Sequence, residues 1–65
     1  MFKEYDTFLL KQPIQHLTIP VGSKGVVLIV HKATPPAYEV EFADSEGRTL
    51  GIVTLTDEFM EPAKP

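Results

Sequence analysis

Cysteine and tryptophan are both missing from this 65-residue chain. Without cysteine there is no disulfide framework and no thiolate zinc site, so the fold must rest on packing, alone or with a partner or a second copy. A disulfide-dense secreted miniprotein is excluded on the same ground. Without tryptophan, the aromatics are Tyr5, Tyr38, Phe2, Phe8, Phe42 and Phe59. Most of these are needed for a core, which leaves little to line a groove for proline-rich peptides. Long hydrophobic runs are also lacking. The longest, Val26 to Val30, is far short of the roughly 20 residues that cross a bilayer. Met1 to Asp6 carries charges of both signs and no signal-peptide core follows. A soluble cytoplasmic protein is the expectation. Positive charge is sparse and scattered: six basic against nine acidic residues give a net charge of −3. That balance argues against a nucleic-acid binder, which presents a basic face.

What is present reads as one small β domain. At 43% hydrophobic and 23% charged residues, the chain has a globular composition, near the size at which a single core becomes marginal. Pro20-Val21-Gly22-Ser23-Lys24-Gly25 closes a turn, and the β-branched run from Val26 opens directly behind it. Four apolar segments follow one another: Thr7 to Leu10, Gly25 to His31, Ala37 to Phe42 and Thr49 to Leu55. In the third, Tyr38, Val40 and Phe42 fall on one side and Glu39 and Glu41 on the other, the period of a half-buried strand. Asp44 to Arg48 supplies a hairpin turn with Gly47 as its left-handed residue. Thr56-Asp57-Glu58 offers the start of a single helical turn, and Phe59-Met60-Glu61 a short closing strand.

These signals predict an all-β fold: a small five-stranded SH3-like barrel with a long first loop and one 3-10 turn before the last strand. Such a barrel limits exposed sheet edges by curling on itself; an OB-fold would need longer strands. Residues 1–61 are expected to form the single domain and 62–65 a flexible tail. Pro13, Ile14, Leu17, Ile19 and Pro20 of the first loop are expected to fold back over one mouth.

Tyr5-Asp6-Thr7, Gly22-x-x-Gly25-Val26-Val27, Ala37-Tyr38-Glu39-Val40-Glu41-Phe42 and Val53-Thr54-Leu55 together resemble a bacterial family of small proteins, domain of unknown function 4926. The likeness runs from about Phe2 to Glu61, and the Tyr-Glu-Val-Glu-Phe strand is its most specific part. The resemblance implies a small β-barrel with a non-enzymatic role, and it fits one member of a two-component pair such as a toxin with its antitoxin or immunity protein. It supplies no catalytic or binding residue. Pro35-Pro36 and Glu61 depart from the pattern, in place of a more polar loop and a basic residue.

Little in the chain points to chemistry. His16 and His31 lie far apart and are expected to be solvated, with too few ligands for a metal site. Ser23 and Ser45 sit in turns without a nucleophile-elbow context, and no phosphate or dinucleotide glycine fingerprint occurs. No enzyme activity and no cofactor are expected, and a barrel this small has little room for an enclosed pocket. The Gly25–His31 strand is apolar on both sides: Val26, Leu28 and Val30 point one way by simple alternation, Val27 and Ile29 the other. A strand of that kind needs both faces covered, by the first loop, by Phe2 and Tyr5, or by another chain. The candidate partner-binding residues are therefore Val27 and Ile29, with the acidic strip Glu39, Glu41, Asp44 and Glu46.

The expected function is that of a protein–protein interaction module, with a homo-oligomer as another way to cover the strand. A narrower alternative is an antitoxin or immunity protein whose acidic strip meets a basic, co-encoded toxin. An RNA-binding barrel ranks third, since only fold analogy favours it. A ferredoxin partner would repel an acidic surface.

Overall fold

In the computed structural model, which describes residues 1–63, the chain forms a single antiparallel sheet of five strands. These are β1 (Thr7–Leu10), β2 (Lys24–His31), β3 (Ala37–Ala43), β4 (Thr49–Thr56) and β5 (Met60–Pro62), with a 3-10 turn at Asp57–Phe59. Their order across the sheet is β4-β3-β2-β1-β5. The chain thus lays down β1 to β4 side by side and returns β5 to the far side of β1. The all-β reading, the strand number, the long first connection and the turn before the last strand all agree with the sequence expectation.

Period-two alternation places the core. Tyr38, Val40 and Phe42 on β3 are fully buried, as are Phe8 on β1 and Val27 on β2, and Leu10, Leu55 and Met60 nearly so. The aromatics meet edge to face: Phe8 and Phe42 at 5.4 Å between ring centroids, Phe2 and Tyr38 at 5.6 Å, Phe2 and Phe8 at 6.2 Å. This geometry sets the positive ring edge against the negative face and adds to the area term. Phe2 therefore seals the core from the N-terminus, and its backbone N–H donates to the Tyr38 hydroxyl at 3.2 Å. Tyr5 turns outward instead, in a left-handed conformation (φ 67°). Its N–H donates to the Val27 carbonyl at 2.7 Å, and the Val27 N–H donates to the Asp6 carbonyl at 2.9 Å, so the turn prolongs the β1–β2 ladder.

The two glycines of the Gly22-x-x-Gly25 turn serve different purposes. Gly22 has φ 93°, which only glycine adopts without strain. Gly25 has ordinary backbone angles but no room: a Cβ there would stand 2.5 and 2.7 Å from two ring carbons of Phe8. The long first loop is tied at its base. Leu10 donates its N–H to the Ser23 carbonyl and accepts from Gly22, at 2.9 and 2.8 Å. Of the five loop residues expected to cover the core, Ile19 is buried and Ile14 packs against it, whereas Pro13, Leu17 and Pro20 are exposed.

Two boundaries differ from expectation. Phe59 belongs to the 3-10 turn rather than to the last strand. Pro62 is not tail: it pairs with Phe8 in the β1–β5 ladder, which an edge strand permits a residue without an N–H to do. The rest of the expected tail beyond Ala63 lies outside the described residues.

Candidate interaction face

The outward side of β2, β3 and β4 is built by the same alternation that fills the core. With Tyr38, Val40 and Phe42 facing in, Glu39 and Glu41 must face out from the central strand. The register then decides their neighbours. Glu41 lies between Val26 of β2 and Ile52 of β4, and Glu39 between Ile29 of β2 and Thr54 of β4. Two carboxylates are thus set into an aliphatic surface. Ile29 is 44% exposed, Leu50 48% and Ile52 54%.

Val27 and Ile29 do not share a face, contrary to simple alternation. Val27 pairs with Val40 but Ile29 pairs with Glu39, so Leu28 is an extra residue and β2 carries a bulge. A bulge shifts the in–out phase by one. Before it Gly25 and Val27 point inward; after it Val30 does, packed against the core opposite Tyr38. The bulge reduces the apolar residues left on the outward side of β2 to Val26 and Ile29, with Leu28 as the extra residue. Val27, proposed from the sequence as a contact residue, has no exposed surface. Ile29 alone of the pair is available.

The acidic strip also divides. Asp44 organises the β3–β4 hairpin: its Oδ1 accepts from the backbone N–H groups of Glu46 and Arg48, both at 2.9 Å, and its Oδ2 from the Arg48 Nε at 2.9 Å. The Arg48 N–H, chief among these donors, holds the Asp44 carboxyl below the ordinary aspartate value; desolvation opposes it, and the Glu46 N–H and the guanidinium add to the lowering. Glu46 lies 3.4 Å from the same guanidinium. Arg48 is thus shared between these two carboxylates, and the three side chains together keep one negative charge. Glu39 has only the His31 imidazole near it, at 3.8 Å, and Glu41 accepts from the Thr49 hydroxyl at 2.5 Å. Neither forms an ion pair with a lysine or arginine among the described residues.

Beside this face runs an open groove of about 680 Å³, lined among others by Pro20, Lys24, Val26, Glu41, Ala43 and Leu50. Val26, Glu41 and Leu50 belong to both groove and face, so the two form one continuous surface. Leu50 and Ile52 were not singled out from the sequence. Their signal was the parity of Thr49 to Leu55, which sets Leu50 and Ile52 opposite to the inward Val53 and Leu55. The two histidines are both exposed and lie in separate places, and no group of three or more His, Cys, Asp or Glu side chains among the described residues could hold a metal ion.

The family described as Domain of unknown function (DUF4926) matches residues 4–62. The chain belongs to that family. No curated protein and no solved structure matches it. The family domain takes in all five strands, and with them every residue of the outward face. No helix among the described residues is long and apolar enough to cross a membrane.

Proposed function

We propose that this DUF4926 domain is a non-catalytic, SH3-like interaction module that binds a basic protein through the outward face of β2, β3 and β4. The observation that carries this reading is the placing of Glu39 and Glu41, without a lysine or arginine partner among the described residues, beside exposed Ile29, Leu50 and Ile52. Aliphatic contacts exclude water around the carboxylates, which strengthens their attraction for a lysine or arginine of the partner. Complementary charge also speeds encounter and fixes register. The order of the strands, with β1 between β2 and β5, and the 3-10 turn before β5 support the SH3-like description.

The net charge of −3 favours a narrower second reading, an antitoxin or immunity protein that covers a basic toxin. The same charge disfavours RNA, whose phosphates would be repelled. The test is co-purification of the tagged full chain from its host cell, run beside the Glu39→Lys/Glu41→Lys and Ile52→Asp variants. A stoichiometric basic protein held by the wild type and lost from both variants is the expected result. Recovery of the same proteins by all three chains would refute the reading.

A further inference from the structure

We propose that β4 is the edge at which a second copy of this chain adds, antiparallel, to extend the sheet. The sheet ends in two very different strands. β5 has three residues, and it carries Glu61 and Pro62. Shortness, charge and proline are the ordinary means by which an edge is kept from pairing. β4 has eight residues, Thr49 to Thr56, with neither a charge nor a proline among them. It pairs with β3 on one side. Alternate residues therefore present their N–H and C=O groups to the open side. Among the described residues, no backbone hydrogen bond outside the strand ladders engages β4.

The pattern of the strand favours a copy of itself as the occupant. Two antiparallel β4 strands must set opposite each other residues that face the same side, which limits the register. An axis through Val53 places residues 51–55 of one copy against 55–51 of the other, with Ile52 beside Thr54. Both have exposed side chains on the outward side, so the aliphatic surface continues across the junction. No charged side chain lies in the paired segment, so no like charges are opposed. The carboxylates that carry the net charge do not prevent the approach. Glu41 and Glu39 stand on β3, so Glu41 of one copy lies across from Glu39 of the other at about three strand spacings, roughly 14 Å. That exceeds the roughly 8 Å Debye length at physiological salt. The register shift at Leu50 lies at the hairpin end and leaves residues 51–56 in even register for pairing. A core of marginal size gains stability from such an addition.

This inference uses the backbone edge of β4, whereas the proposed function uses the side chains of the outward face. Ile52 belongs to both, but sedimentation of the chain alone needs no basic partner and Glu39→Lys/Glu41→Lys leaves the β4 edge untouched, so the two fail separately. The experiment is sedimentation of the untagged full chain alone over a concentration series, with amide hydrogen exchange at each end of the series. The mass is expected to rise from 7.2 kDa towards twice that value, and the amides among residues 51–55 that point to the open side to exchange at least several-fold more slowly in the concentrated sample. Ile52→Lys/Thr54→Lys should return the chain to a monomer with an unchanged circular dichroism spectrum. Glu61→Lys, on the guarded edge, should leave the dimer intact. A wild-type chain that stays monomeric at high micromolar concentration, or β4 amides whose exchange ignores concentration, would overturn the proposal.

Discussion

Strand β3 has two sides that answer to different demands. Its inward residues Tyr38, Val40 and Phe42 are fully buried and touch aromatic and aliphatic partners from the other strands. Its outward residues Glu39 and Glu41 are flanked by half-exposed aliphatics and, among the described residues, pair with no lysine or arginine. The inner side governs whether the domain folds. The outer side is free to be chosen for contact, because little of the folding energy depends on it. In a domain this small the division is sharp, since one layer of side chains makes the whole core.

The comparison is broken most severely by charge on the wrong side. Val27→Asp places a carboxylate in the core and is expected to unfold the chain, by far ultraviolet circular dichroism. Ile29→Asp, two residues along the same strand, should remain folded, at a cost of about 1 kcal/mol from the lost β-branched side chain and the like charge of Glu39 opposite. Equal effects would mean that the bulge at Leu28 does not set the phase of β2. Phe42→Ala follows, at about 3–5 kcal/mol in denaturant unfolding, most or all of what a core of this size provides.

Gly25→Ala comes next. Its Cβ meets the Phe8 ring, and overpacking of this kind costs about 1–3 kcal/mol. Phe8→Leu in the same chain should recover part of that loss, whereas Gly25→Ala together with Ile29→Ala should not.

Tyr38→Phe tests the polar end of the inner side and is expected to cost about 1 kcal/mol. Burial, in the first place, pushes the Tyr38 hydroxyl above the ordinary tyrosine value; the Phe2 N–H opposes this and the Asp57 carboxylate adds to it. A raised folded value means that the associated stability is complete below about pH 10 and is lost as pH rises beyond it. Thermal unfolding of wild type should therefore decline on the alkaline side more steeply than that of Tyr38→Phe. Asp44→Ala has the smallest expected effect and the opposite dependence. The Asp44 carboxyl is held below its unfolded value. Its contribution is present above about pH 4 and disappears as pH falls further. The melting temperatures of wild type and Asp44→Ala should differ at neutral pH and converge in acid.

Much of this division could be read from the residues. Tyr38-Glu39-Val40-Glu41-Phe42 alternates without a break, and its burial follows that alternation. The hairpin at Gly47, which adopts φ 82°, and the single turn after Thr56 were equally legible, because local backbone demands determine them. β2 was not. Five apolar residues in a row contain no alternation, so nothing in Val26 to Val30 marks where the phase changes; the pairing with β3 decides it. The acidic strip was legible as charge but not as chemistry. Whether Asp44 is free or bound depends on a hairpin that brings Arg48 back to it. Leu50 and Ile52 gain their meaning only beside Glu41, a long-range pairing that composition does not express.

The most direct test of the account is alanine substitution at each position from Tyr38 to Phe42, with unfolding free energy and partner retention measured on every variant. The account predicts that the two alternate out of phase. Tyr38, Val40 and Phe42 should carry the stability losses, and Glu39 and Glu41 should lose the partner while unfolding as wild type does. Partner loss that follows stability at all five positions, or Glu39 and Glu41 variants that keep the partner in full, would contradict it.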